Sequence, residues 1–168
     1  MIKLLQADNF FNDEDVQIMF NATNNLQFVE KEHGLEIENF NMVIPDLDPL
    51  FSKLLADDIQ VDDENSGIFR KPTFGIHFES FESLSDWVFI VALERTTFNL
   101  YHHLSGAKTA LDGYHFNYQN FLEWDYHTNI LLQPNEGIFF KPWLFHSLEE
   151  GLVQVYRLKG KNNGSNRI

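Results

Sequence analysis

From about residue 66 to residue 158 the chain is a succession of short apolar segments cut by turn residues, with no helical pattern between them. Candidate strands are 68–79, 87–94, 97–103, 127–133, 137–140 and 152–158. The linkers carry Ser105-Gly106, Asp112-Gly113, Pro134-Asn135 and Glu149-Glu150-Gly151, residues that favour turns. Many short strands without interspersed helices predict a sandwich or barrel. Seventeen Phe residues supply much of a 15% aromatic content, so its interior is expected to be bulky and ring-rich.

The first 65 residues are mixed. A short apolar strand at 2–5 leads through Asp8-Asn9-Phe10-Phe11 to a helix starting near Asn12, a capping residue. Asp13, Glu14 and Asp15 stand where the helix dipole favours negative charge, and Val16, Met19 and Phe20 recur at helical spacing. A strand is expected at 26–31. A second helix is expected from Asp46 or Asp48, with Pro49 in its first turn and Leu50, Phe51, Leu54 and Leu55 on its apolar face. The fold class is therefore mainly β (α+β), with two N-terminal helices packed on one sheet. One domain is expected over 1–160, residues 1–65 supporting a β core at 66–158, with a flexible polar tail at 159–168.

Composition excludes several functions. A net charge of −13 repels polyanions, so nucleic acid is a disfavoured partner. The absence of cysteine removes disulfides, thiolate metal ligands and thiol nucleophiles. Met1–Asp8 meets acidic residues too soon for a signal peptide, and the longest apolar run, 87–93, is strand-sized against the roughly 20 residues a membrane helix needs. A cytoplasmic protein with no membrane association is the expectation. No Gly-X-Ser-X-Gly elbow and no phosphate loop occurs.

Three stretches carry candidate chemistry. In Phe74-Gly75-Ile76-His77-Phe78-Glu79-Ser80, His77 and Glu79 are two apart, so on an extended chain both project to one face while Ile76 and Phe78 project to the other. In Gly137-Ile138-Phe139-Phe140-Lys141-Pro142-Trp143-Leu144-Phe145-His146, a histidine ends a run of large apolar groups, a setting that calls for a neutral ring with a partner such as a metal ion. In Leu152-Val153-Gln154-Val155-Tyr156-Arg157, alternation puts Arg157 on the face of Val153 and Val155. There its guanidinium requires an anion: a bound carboxylate, or one of the chain's own acids.

Together these stretches resemble the 2-oxoglutarate/Fe(II)-dependent oxygenase superfamily, whose pattern is His-X-Asp/Glu, a distal His, then a basic residue on the following strand. His77-Phe78-Glu79, His146 and Arg157 match in order and spacing, and Leu4–Phe20 resembles the family's entry segment. Glu79 stands where Asp is commoner. The resemblance implies a double-stranded β-helix (jelly roll, cupin-like) with His77, Glu79 and His146 as catalytic metal ligands for Fe(II). It further implies 2-oxoglutarate as cosubstrate on Arg157, with Tyr101 or Asn99 as candidate second anchors. The implied reaction hydroxylates an unidentified small-molecule or protein side-chain substrate, with decarboxylation of 2-oxoglutarate to succinate.

Two other readings share the fold. A cupin-type metal protein would recruit His127 or the His102-His103 pair as ligands, and a non-catalytic jelly-roll module would bind without a metal. The aromatic segment 105–126, with Tyr114, Phe116, Tyr118, Phe121, Trp124 and Tyr126, is either a lid or substrate wall, or a hydrophobic insertion tucked onto the sheet.

Overall fold

A computed structural model of the chain describes residues 4–25, 27–31, 34–37, 47–71, 75–79, 85–112 and 115–161. In chain order the elements are β1 (Leu4–Ala7), α1 (Asp13–Asn25), β2 (Phe28–Lys31), β3 (Gly34–Ile37), α2 (Asp48–Leu55), β4 (Ile59–Val61) and β5 (Gly67–Lys71). They continue with β6 (Trp87–Ala92), β7 (Thr96–His103), β8 (Trp124–Leu132), β9 (Gly137–Phe140), β10 (His146–Leu148) and β11 (Gly151–Gly160). Both helices stand where the sequence predicts them. The Asn12 carboxamide oxygen accepts the Asp15 N–H at 2.9 Å, and Pro49 occupies the first turn of α2.

The strands form two facing antiparallel sheets. The larger runs β1-β9-β6-β11-β5-β3-β2, with β4 pairing the far end of β11; the smaller runs β10-β7-β8. Residues 75–79 extend the smaller sheet through a bridge between His77 and His146. This is the jelly-roll architecture, and strand alternation distributes its side chains. Val88, Ile90, Ile138, Phe140, Val153 and Val155 of the larger sheet meet Phe98, Leu100 and Leu148 of the smaller in an inter-sheet core. The alternate residues, among them Phe89, Phe139 and Tyr156, face outward under Phe11 and Met19 of the N-terminal region and Phe51 of α2. Phe89 and Phe139 stack at 4.0 Å, and Phe51 lies edge-on to both.

Some expectations need correction. The predicted strand 68–79 is two elements: β5 belongs to the larger sheet and 75–79 to the smaller, so the chain crosses between sheets there. Residues 159 and 160, expected in the tail, continue β11 by pairing with Gln60 and Ile59. β8 begins three residues before the expected 127 because Trp124, Asp125 and Tyr126 pair with His103, His102 and Tyr101. β3, β4 and β10 were not anticipated. Residues 2 and 3 of the expected first strand, Asp46 and the remaining tail, 162–168, lie outside the described residues. No helix among the described residues is long and apolar enough to cross a membrane.

Candidate metal centre

One end of the sandwich assembles the chemistry. There Arg157 pairs across from Val88, and Val88 from Phe140; the chain then turns through 141–145 and enters β10 at His146. Segment 75–79 runs antiparallel to this turn. The His77 N–H donates to His146 O at 2.9 Å, the His146 N–H returns to His77 O at 2.8 Å, and the Glu79 N–H donates to Pro142 O at 2.8 Å. These bonds hold the backbone of all three residues in register. As alternation requires, Ile76 and Phe78 pack outward in a cluster with Tyr101, Trp124 and Phe145, leaving His77 and Glu79 on the inner face.

The ligand atoms of His77, Glu79 and His146 all lie within 4.8 Å of one another. Among the described residues this is the group of three side chains suited to hold a metal ion. His77 Nδ1 lies 2.9 Å from Gly75 O, and His146 Nδ1 lies 2.8 Å from Leu144 O. A carbonyl only accepts, so each Nδ1 bears the proton, and in the neutral ring each Nε2 presents a lone pair. Backbone carbonyls thus fix both tautomers in the form a metal requires. His146 is 1% exposed, stacked on Phe98 and packed against Phe140, so its ring cannot swing away. Two neutral imidazoles and a carboxylate on one side would suit a divalent first-row metal.

Glu79 faces two ways. Its Oε1 lies 3.7 Å from His146 Nε2, while Oε2 lies 2.5 Å from Arg157 Nη1, an ion contact off the hydrogen-bond axis. Arg157 therefore shares the inner face and reaches the site as predicted, but its anion in this state is the ligand carboxylate itself. Its backbone N–H is held by Ser66 Oγ at 3.0 Å.

Asn99 and Tyr101 stand elsewhere. In the β10–β7 register His146 is opposite Leu100 and Ser147 opposite Asn99, so Asn99 shares the face away from the ligands. Asn99 Nδ2 and Tyr101 Oη both contact Ser147 Oγ, at 3.3 and 3.0 Å, in a buried polar cluster. Burial foremost, with Tyr126 and Glu149 adding to it against the Ser147 hydrogen bond, pushes the Tyr101 phenol up to about 12. The structure does not bring these two residues to the triad.

The histidines of the cupin reading are apart from the triad as well. His102 and His127 stack on each other with ring centroids 4.1 Å apart, and His103 contacts Ser105 and Glu123. The aromatic segment is a buttress. Phe116, Tyr118 and Trp124 pack on Phe145, and Phe78 on Tyr118, behind the strands that carry the ligands. It is the tucked insertion, and its described residues do not close over the ligand face; Tyr114 lies outside them. Sequence reasoning missed the two carbonyl acceptors, each two residues before its histidine and set by local backbone conformation, and the Glu79–Arg157 pairing, which depends on non-local register.

No protein-family model matches the sequence, and no curated protein matches it. Solved structures do resemble it. HygX from Streptomyces hygroscopicus, with nickel, 2-oxoglutarate and hygromycin B bound, superposes with a TM-score of 0.59 at 11% identity, covering 99% of this chain and 86% of that one. The same protein with nickel and 2-oxoglutarate gives 0.61 at 10% identity over the same shares. SnoN, the non-heme α-ketoglutarate-dependent epimerase from nogalamycin biosynthesis, gives 0.59 at 8% identity over 98% of this chain and 86% of its own. The chain therefore has the jelly-roll fold shared by these 2-oxoglutarate-binding, non-heme proteins.

Proposed function

We propose that this chain is a 2-oxoglutarate- and Fe(II)-dependent oxygenase acting on a small molecule. The observation that carries the reading is the convergence of His77, Glu79 and His146, with both imidazoles held by backbone carbonyls in the metal-binding tautomer. The bound ligands of the HygX structures support it.

In this reading His77 Nε2, His146 Nε2 and Glu79 Oε1 hold the metal, and Arg157 takes the distal carboxylate of 2-oxoglutarate. Bound iron with 2-oxoglutarate would supply oxidising chemistry with dioxygen as the oxidant, one oxygen atom going into succinate as the cosubstrate loses CO2 and the other into a substrate C–H bond. The chain's own contribution is orientation and exclusion of water. Phe98 and Phe140 wall His146, and Val88 and Val155 flank the approach to Arg157, so a charged cosubstrate would meet its ion pair in an apolar surround. The net charge of −13 disfavours polyanionic substrates.

Anaerobic titration with Fe(II) and 2-oxoglutarate tests the reading. A visible charge-transfer band is expected, abolished in His146→Ala and weakened in Arg157→Ala. A wild-type protein that binds no divalent metal and shows no band would refute it.

A further inference from the structure

On β7, alternation sends Phe98 and Leu100 into the inter-sheet core, and His102 follows them on the same inner face. Leu100 stands across from His146, so His102 is the next inward position beyond the metal ligands, about 7 Å further along the strand. A bulge lies at this level. Leu100 pairs with Thr128 and Tyr101 with Tyr126, leaving His127 as the extra residue of β8. Bulges re-aim side chains, and this one lays the His127 ring flat on His102, at 4.1 Å between centroids and 23° between planes.

His102 Nε2 is buried and has no hydrogen-bond partner among the described residues. Leaving such an atom unsatisfied is costly, which marks the position as one completed by a ligand. Burial first, then the neighbouring His127 and Lys108, hold the His102 pKa below the ordinary histidine value, against the opposing pull of Asp125 across the strand pair. The ring is therefore neutral near pH 7. A neutral imidazole nitrogen either donates or accepts according to tautomer, and a hydroxyl satisfies it in both cases. Asp125 across the strand pair and the overall charge of −13 outweigh the nearby Lys108 and disfavour an anion here.

We propose that His102, backed by the His127 ring, is the substrate-binding wall of this site, and that Nε2 hydrogen-bonds a hydroxyl of an uncharged or cationic polyhydroxylated small molecule. This rests on the proposed metal centre for its role in turnover, although the contact itself needs no metal. The rise of about 7 Å from Leu100 to His102 is comparable to the width of a single ring bearing a hydroxyl, with His102 at one side and the metal ligands toward the other.

The test uses full-length protein labelled with nitrogen-15 in its histidine rings, titrated with D-glucose, D-glucosamine, myo-inositol and D-glucose 6-phosphate. Zinc binding is measured separately on the same samples. At least one of the first three probes is expected to shift the His102 Nε2 resonance in wild-type protein. Its Kd should rise about tenfold in His102→Phe, which keeps an aromatic ring against His127, and recover substantially in His102→Gln, which restores a donor and acceptor. Zinc affinity should be unchanged in both variants. The proposal is overturned if none of the neutral or cationic probes binds, if binding survives His102→Phe, or if the phosphorylated sugar binds best. Failure of the metal-centre reading would appear instead as absent zinc binding in wild-type protein, whatever the sugars do.

Discussion

Arg157 offers the sharpest test, because it is both the proposed cosubstrate anchor and the present partner of a metal ligand. Glu79 and Arg157 side chains are only 10% and 20% exposed, and Oε2 approaches Nη1 at 2.5 Å. Removing one member of a largely buried pair leaves the other charge uncompensated, at a cost of roughly 3–5 kcal/mol. The partial exposure of Arg157 puts the expected loss for Arg157→Met near the lower end, about 3 kcal/mol, in metal-free protein. At about 2–4 °C per kcal/mol for a chain of this length, Tm should fall by about 10 °C. Zinc affinity should move the other way. A guanidinium beside Glu79 repels an incoming dication, so Arg157→Met should bind zinc more tightly by about tenfold or more. Zinc should then raise the Tm of the variant more than that of the wild type. Thermal melts with and without zinc, in Arg157→Met, Glu79→Gln and the double variant, complete the cycle. A coupling energy of about 2 kcal/mol or more between the two sites is expected. Strictly additive losses, or zinc binding weakened by Arg157→Met, would refute the idea that one carboxylate serves both partners.

Two further outcomes follow from packing and burial. A Cβ on Gly137 would lie 2.5 Å from the Phe89 ring and 2.9 Å from Ile90 O, so Gly137→Ala should lower stability by about 1–3 kcal/mol in denaturant melts, with the metal ligands untouched. Unchanged stability would show that the Phe89–Phe139 stack yields freely. Tyr101, pushed up to about 12, and Tyr156, raised well above the ordinary tyrosine value chiefly by burial, both hold their protons more firmly folded than unfolded. Both contributions are intact below the ordinary value of 10.0; that of Tyr101 is lost as pH rises through about 12, and that of Tyr156 is lost as pH rises through its own raised value. Ultraviolet tyrosinate titration should show these two phenols ionising together with unfolding, and early ionisation without unfolding would contradict their burial.

The parts of the site that were legible in the sequence are those governed by local periodicity. His77 and Glu79 share a face because they are two apart on extended chain, and Ile76 and Phe78 fill the opposite face with apolar bulk. Arg157 follows the parity of Val153 and Val155 for the same reason. Asn99 and Tyr101 suit a second anchor by residue type, but parity puts them on the face away from the ligands. Phe98 and Leu100 are the large apolar residues of that strand and mark its inner face, and His102 follows them there. The chain's crossing between sheets after β5, and the pairing of β4 with the end of β11, depend on distant register that no short window contains.

Parity also explains why a glutamate at position 79 matters. The backbone of Glu79 is fixed by its N–H bond to Pro142 O, so side-chain length sets how far the carboxylate can reach. From there it reaches His146 Nε2 with one oxygen and Arg157 with the other. Aspartate would withdraw both oxygens by about one carbon–carbon bond, roughly 1.5 Å. It could then keep one partner in contact but not both. With the imidazoles offering only neutral lone pairs, a bound dication is the stronger attraction and should retain the shorter carboxylate. Glu79→Asp should therefore hold zinc within about tenfold of wild type, while most of its coupling energy to Arg157, on the order of 2 kcal/mol, disappears when Arg157→Met is added. Isothermal titration and melts of the single and double variants measure both quantities. If the aspartate variant kept the full coupling, the added methylene would have no role in bridging the metal site to the arginine.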